Sequence, residues 1–269
     1  MPRQHTPTTG LPQWVAVPAV LGLALLAVPL IALLPRVDWT ALPAALTSPT
    51  AIAALGLSVR TAALAVVLCL LLGVPLALLL SHAQPRLAVA LRALVTLPLV
   101  LPPLVGGVAL LSVVGRTGLL GPWLEDAGVS IAFTPWAVVL AQTFVALPFL
   151  VITVEGSLRT IGTRYEAVAA TLGARPWSVL VRVTLPLVAP SLLAGTVLAF
   201  TRALGEFGAT ALVAGNRPGV TQTVPMAIYT AFNGAAVGRD VALALSVLLV
   251  AVALVILLLV PAVRRRDAW

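Results

Sequence analysis

Two ionisable residues, Arg202 and Glu206, stand in a stretch of sequence that is otherwise apolar. Residues four apart on an α-helix lie on the same face, so this spacing predicts an ion pair between the guanidinium and the carboxylate. Ionisable groups inside a long apolar helix are costly and usually face a cavity or a partner. The pair is interpreted either as a gate element of a passage or as a salt bridge that fixes packing, and the spacing leaves both open.

Residue counts argue against several other kinds of chemistry. All 16 Lys and Arg residues are arginines, which excludes a Walker A lysine and Schiff-base chemistry on lysine. Cys69 is the only cysteine, and the histidines, His5 and His82, are far apart, so we expect no disulfide within the chain and no zinc or haem site. The sequence has no paired carboxylates at catalytic spacing, no nucleophile elbow and no HExxH helix. It predicts neither an enzyme nor a cofactor site in this chain.

The composition of the chain indicates what kind of structural element carries the ionisable pair. Of the 269 residues, 61% are hydrophobic and 9% are charged, whereas a soluble domain is about half apolar and about a quarter charged. The chain is therefore predicted to be an all-α polytopic membrane protein. Its net charge is +8, but most arginines stand at the ends of apolar runs, which is typical of the positive-inside pattern rather than of nucleic-acid binding.

Six apolar runs are long enough to cross a bilayer core of about 30 Å at about 1.5 Å per residue. The runs cover residues 14–34, 61–80, 93–114, 135–154, from after Pro186 to about Val213, and 241–263. They predict one transmembrane domain, 14–263, between an N-terminal tail, 1–13, and a basic C-terminal tail, 264–269. With the N-terminus inside, the inner segments hold ten arginines and the outer segments four, which predicts that both termini are cytoplasmic.

The longest predicted cytoplasmic segment, 155–186, can form two short helices. The residues from Arg164 to Leu172 favour a helix, Gly173 is a natural stop, and Pro176-Trp177 can start a second helix. Two helices around a glycine predict either a docking surface or a helix lying at the membrane interface, anchored by Trp177. Composition leaves both open.

Two further segments of the sequence are notable for residues that break helices or form turns. The third run contains Pro98, Pro102, Pro103, Gly106 and Gly107. Segment 96–104 resembles segment 184–192, and a glycine follows each at the same offset (Gly107 and Gly195), which favours an internal repeat over chance similarity. The outer segment 205–223 is rich in turn formers and small polar residues, including Asn216 and Thr221, and predicts a re-entrant loop or an ordinary hairpin.

The cytoplasmic segment also resembles a known family. Gly173, followed after nine residues by Val183-Thr184-Leu185-Pro186, resembles the EAA loop of bacterial ABC importer permeases, whose pattern ends in G-x9-I-x-L-P. The position of the usual glutamate holds Ala167, with Glu166 one residue earlier, and Ala169 fits the second alanine of the pattern.

One departure and one further similarity narrow the resemblance to one branch of that family. Val168 replaces the first alanine, as in the sulfate and molybdate permeases, whose loops read E-x-x-A-x-T-L-G. Residues 204–210 and 215–225 are most similar to the molybdate permeases. The resemblance covers about residues 58 to 229.

The resemblance implies a six-helix permease that forms a homodimer, pairs with two copies of a cytoplasmic ABC ATPase and receives its cargo from an extracytoplasmic oxyanion-binding protein. It implies import of molybdate or tungstate across a bacterial or archaeal cytoplasmic membrane, with lipid but no nucleic acid as a partner. ATP and Mg would bind the ATPase. Sulfate is the alternative cargo, and a stand-alone membrane enzyme or a secondary carrier is the alternative class.

The resemblance also assigns residues. Those implied to dock on the ATPase are Glu166, Ala169, Gly173, Trp177, Leu185 and Pro186. The candidate residues of the translocation pathway or gate are Pro102, Pro103, Gly107, Arg202, Glu206, Asn216 and Thr221.

Overall fold

The computed structural model describes residues 13–234 and 238–266, so almost all of the predicted N-terminal tail and the end of the predicted C-terminal tail lie outside the described residues. All regular structure in the described ranges is helical, which confirms the all-α prediction. The α-helices are α1 (Ala16–Leu33), α2 (Leu42–Leu46), α3 (Pro49–His82), α4 (Pro85–Val100), α5 (Pro103–Val114), α6 (Gly121–Asp126), α7 (Pro135–Ile161), α8 (Arg164–Thr171), α9 (Pro176–Val179), α10 (Leu185–Leu204), α11 (Gly208–Val213), α12 (Val224–Phe232) and α13 (Arg239–Arg266).

Several of these helices can cross a membrane. Four helical segments are long and apolar enough: Ala16–Arg36, Pro49–His82, Pro135–Ile161 and Pro176–Leu204. The bent pair of α4 and α5 would add a fifth span. The multi-pass class is thereby confirmed. The six-span count, which needs α13 as well, and the cytoplasmic placement of both termini stay predictions.

The core of the described bundle consists of α3, α7 and α10. Two glycines bring these helices together: a Cβ added to Gly73 would lie 3.1 Å from side-chain carbons of Leu147 and Leu150, and a Cβ added to Gly195 would lie 3.1 Å from Leu150. Small residues allow helix backbones to approach, and this close packing is a main source of helix association in a membrane. Leu150 is fully buried, so it packs against both α3 and α10.

The third apolar run, which contains three prolines, is broken into two helices. It divides into α4 and α5, whose axes differ by 113°. The cause lies in two consecutive prolines, because a residue that precedes proline is driven out of the helical region. Leu101 has ψ 137° and Pro102 has ψ 134°, both extended. Pro190 has no second proline beside it, and α10 continues through it. The two segments of the proposed internal repeat therefore differ in backbone.

Other helix ends also differ from the prediction. Helix α7 continues to Ile161, past the predicted end at Val154. The fifth span begins at Pro176, because α9, a π-helical turn over Leu180–Thr184 and α10 follow one another without a break. Helix α10 ends at Leu204, and α11 is separate from it. The spacing argument assumed that Arg202 and Glu206 share one helix. In the structure, Glu206 lies beyond the end of α10.

Helix α1 stands apart from the core. It has no buried residue, and its main contacts are with the 3-10 turns at its own ends.

Candidate translocation site and coupling surface

The two short helices α8 and α9 are joined by the predicted glycine stop. Gly173 has φ +80°, and its N–H donates to the carbonyl of Ala170 at 3.0 Å. The N–H of Ala174 donates to the carbonyl of Ala169 at 3.1 Å. These two bonds form a Schellman motif, in which a left-handed residue satisfies the last carbonyls of a helix. The predicted helix stop at Gly173 is confirmed.

The surface around this stop is apolar and exposed. Leu172 is 83% exposed and Trp177 is 74% exposed, while Tyr165 and Val168 are also exposed. The guanidinium of Arg164 lies 5.3 Å from the centre of the Tyr165 ring. Exposed apolar groups that lie close together mark an interaction site more often than scattered ones do. These five residues are called the coupling surface below.

Glu166 lies on α8, and its carboxylate is bound within the chain. Its Oε2 lies 3.1 Å from Nε2 of His82, at the end of α3, and its Oε1 accepts a hydrogen bond from Oγ1 of Thr184 at 2.8 Å. Partial burial raises the pKa of Glu166, but the bonds from His82 and Thr184 together outweigh burial and hold the pKa below its ordinary value. Glu166 therefore connects α8 to α3 and to the π-helical turn that precedes α10.

A second charged contact joins α4 to α7 near the C-terminal end of α7. Glu155 is 4% exposed and is bound by both Nη2 and Nε of Arg92. Arg159, one turn later on α7, lies 3.7 Å from the same carboxylate. Sequence reasoning missed this group, as it missed His82 and Thr184. One signal was present: Glu155 is one of only eight acidic residues.

On the opposite side of the core, α5 packs tightly against α11. A Cβ added to Gly107 would lie 2.8 Å from the carbonyl oxygen of Ala209, and a Cβ added to Gly208 would lie 2.6 Å from Cβ of Pro103. No larger residue fits at either glycine unless the two helices separate. Pro102 precedes α5 directly and sets the bend that brings α5 to α11.

The predicted ion pair lies at the same place. Nη2 of Arg202 is 2.7 Å from Oε2 of Glu206, so the pairing expected from spacing is present although the continuous helix is not. The other carboxylate oxygen of Glu206 accepts a hydrogen bond from the N–H of Ala209 at 2.8 Å. Glu206 is 1% exposed. Four candidate pathway residues thus converge on α11: Pro103, Gly107, Arg202 and Glu206.

Asn216 and Thr221 form a separate group beyond the other end of α11. The side chain of Asn216 donates to Oγ1 of Thr230 at 2.7 Å and accepts from Nε2 of Gln222 at 3.0 Å. Oγ1 of Thr221 accepts from the N–H of Arg217 at 3.0 Å. These bonds connect residues 216–222 to one another and to α12.

A third group of candidate residues consists of buried polar side chains that have no hydrogen-bond partner in the described part of the chain. The sequence analysis did not assign these residues to a site. Among the described residues, the amide of Gln142 and the hydroxyls of Thr210 and Thr223 are buried and find no hydrogen-bond partner. Gln142 lies one helical turn from Val138 and Val145, and those two residues pack in the same cluster as α11. The sequence signal for Gln142 was a polar residue within an apolar run, whereas Thr210 and Thr223 lie in segment 205–223, which is rich in small polar residues.

The protein family of this chain follows from a match over most of its length. Residues 70–266 match the family described as "Binding-protein-dependent transport system inner membrane component". The chain belongs to this family. The permease is thus a multi-pass inner membrane component that takes part in translocation rather than in catalysis.

Individual relatives agree with this assignment. The permease is 56% identical over 252 residues, 94% of each chain, to the "Molybdenum transport system permease protein ModB" of Mycobacterium bovis. Two Escherichia coli proteins are more distant. Its ModB is 40% identical over 204 residues, 76% of this chain and 89% of that one. Its "Sulfate transport system permease protein CysT" is 34% identical over 218 residues, 78% of this chain and 79% of that one.

A solved structure has the same fold. One chain of a bacterial alginate ABC transporter in complex with an alginate-bound periplasmic protein superimposes with a TM-score of 0.72 over 94% of the permease and 93% of that chain, at 19% identity. The permease fold of an ABC importer is therefore confirmed.

Proposed function

We propose that this permease imports molybdate, or the similar oxyanion tungstate, across the inner membrane as the translocation subunit of an ATP-driven transporter. The observation that supports this most strongly is the 56% identity to ModB over 94% of both chains. Sulfate is the weaker alternative, because within one organism the molybdenum permease is closer to this chain than the sulfate permease is.

The working unit is two copies of the permease, two copies of a cytoplasmic ATPase and an extracytoplasmic oxyanion-binding protein. The coupling surface supports an ATPase partner, since Leu172 and Trp177 expose apolar side chains on a short cytoplasmic segment. Gly173, Ala169, Leu185 and Pro186 shape this surface or border it. ATP and Mg bind the ATPase, because this sequence has no lysine with which to build a phosphate-binding loop.

Motion of the ATPase is transmitted through Glu166 to the ion pair of Arg202 and Glu206. Because Glu166 bonds to His82 and Thr184, a shift of α8 pulls on the end of α3 and on the start of α10. Helix α10 carries Arg202 at its other end. Alternating access then follows if ATP binds more tightly to one of the two arrangements.

The buried groups without partners support a second arrangement of the helices. A buried polar group without a hydrogen bond costs about 1 to 3 kcal/mol. Gln142 on α7 and Thr210 on α11 are buried without a hydrogen-bond partner from the described residues. In the second arrangement, α11 is displaced relative to α7, which gives both side chains new neighbours. The gate comprises Pro102, Pro103, Gly107, Arg202 and Glu206, and the outer rim comprises Asn216 and Thr221.

The test is uptake by proteoliposomes that contain the permease with its ATPase, ATP on the ATPase side and the binding protein outside. We expect ATP-dependent molybdate uptake that tungstate inhibits and excess sulfate does not. Uptake without ATP would contradict the ABC assignment and favour a secondary carrier. Sulfate uptake as fast as molybdate uptake would favour the alternative cargo.

A further inference from the structure

Arg202 and Glu206 differ in their surroundings although they form one ion pair. The side chain of Arg202 is 29% exposed and that of Glu206 is 1% exposed. A long guanidinium side chain with part of its surface free can change partner, whereas a carboxylate enclosed by packing cannot. Arg202 is therefore the mobile member of the pair.

Glu206 keeps a partner when Arg202 moves away. Its Oε1 is held by the N–H of Ala209 at 2.8 Å, and only Oε2 is used by Arg202. Separation therefore does not leave the carboxylate without a hydrogen bond. This lowers the cost of breaking the pair relative to a buried ion pair that has no other contact.

Arg202 also has unused donors. A guanidinium carries five N–H groups in a planar fork that fits two oxygens of an oxyanion. Among the residues whose side chains the structure describes, the guanidinium of Arg202 has one hydrogen-bonding or ionic partner, Glu206, which it contacts through Nη2. Arg92, by comparison, contacts Glu155 through two nitrogen atoms.

We propose that Arg202 is a transient binding site for the transported tetrahedral oxyanion, and that Glu206 is its resting partner. This rests on the proposed function. A dianion that enters the membrane needs a cation, since charge inside a span is costly unless it is paired. As the dianion arrives, Arg202 exchanges Glu206 for it. When the dianion leaves, the Glu206 pair reforms and neutralises the site.

The test uses the complete transporter in proteoliposomes with five variants: Arg202→Gln, Arg202→Lys, Glu206→Gln, the Arg202→Gln/Glu206→Gln double variant and, as a matched control, Arg116→Gln. Arg116 is an exposed arginine on the predicted outer side, outside the candidate spans. Each variant is measured for oxyanion uptake per folded complex, for ATPase stimulation by the loaded binding protein and for melting temperature.

We expect Arg202→Gln to lower uptake by about tenfold or more, as expected when one charged contact to an oxyanion is lost, while ATPase stimulation persists. Arg202→Lys should retain part of the uptake, because it keeps the charge without the fork. Arg116→Gln should match the wild type. The double variant should recover the melting temperature, since no charge is left buried and unpaired, but not the uptake.

Recovery of uptake in the double variant would overturn the proposal, because it would mean that Arg202 matters only as the partner of Glu206. Unchanged uptake in Arg202→Gln, or an equal loss in Arg116→Gln, would overturn it as well. The wild type separates this proposal from the proposed function: if it moves sulfate but not molybdate, the proposed cargo is wrong and the same variants are compared on sulfate.

Discussion

Replacing Gly107 by alanine tests the tight contact between α5 and α11. The added Cβ would lie 2.8 Å from the carbonyl oxygen and 3.0 Å from Cα of Ala209, and both are backbone atoms that no side-chain rotation can move. Helix α11 would have to shift by about 0.7 Å to reach the separation of about 3.5 Å at which non-bonded atoms pack well. Overpacking of this kind costs about 1 to 3 kcal/mol.

This cost should be visible as a lower melting temperature. At about 2 to 4 °C per kcal/mol for a chain of this size, we expect Gly107→Ala to melt about 2 to 12 °C below the wild type. The purified permease in detergent is followed by tryptophan fluorescence. Uptake should fall as well, because the shift moves the Ala209 N–H that holds Glu206.

Gly56→Ala is the matched control for this substitution. Gly56 also lies inside a helix, α3, but a Cβ there meets nothing within 4 Å. Alanine should be neutral or stabilise the helix by up to about 1 kcal/mol. If Gly107→Ala melts at or above the wild type and transports normally, the contact between α5 and α11 is not the constraint described above.

Four further predictions concern coupling and topology. Trp177→Ala combined with Leu172→Asp should abolish copurification of the ATPase. Leu119→Asp, which changes a leucine of similar exposure on the predicted outer side, should not. If the ATPase still copurifies with the double variant, the coupling surface is refuted. Gly173→Val should lower uptake and stimulated ATPase activity while the ATPase stays bound. The reason is that a left-handed φ costs a non-glycine residue about 1 to 2 kcal/mol. Normal coupling in this variant would contradict the role of the helix stop. The depressed pKa of Glu166 means that its ionised form stabilises the fold above the unfolded pKa of about 4.3 and that this stability is lost as the pH falls through the lowered pKa. Melting temperatures of the wild type and Glu166→Gln should therefore differ at neutral pH and converge in acid, and a constant difference would refute the bonding described. In a background without Cys69, a cysteine replacing Arg265 should react with a membrane-impermeant reagent only after the membrane is opened, and labelling of intact cells would refute the cytoplasmic C-terminus.

Local features of the fold could be predicted from the sequence. The helix stop at Gly173 depends on neighbouring residues only, because a glycine with positive φ completes the hydrogen bonds of the preceding turn. The Arg202–Glu206 pair was predicted from a helix that does not continue to Glu206, yet the ion pair forms. Because the two residues are only four apart, their long side chains can reach each other whether or not the helix continues to Glu206.

Features that depend on distant residues could not be predicted. Arg92 and Glu155 are 63 residues apart, and periodicity does not give the register between the helices that carry them. The prolines at 102 and 103 mark where the third run can break, but the 113° angle between α4 and α5 cannot be derived from these two residues alone. Glu166 was assigned to docking by its place in a motif, whereas its carboxylate is bound by His82 and Thr184.

The isolation of α1 has a consequence for how the permease enters the membrane and how its sequence can change. A helix satisfies its own backbone hydrogen bonds, so α1 is stable in lipid without any neighbour from its own chain. It precedes the core helices in the chain, so it is synthesised before they are. The family match begins only at residue 70, after α1. Insertion and packing are thus divided between different parts of the chain, and substitutions in α1 that preserve its apolar character should persist where the same changes in α7 would be lost.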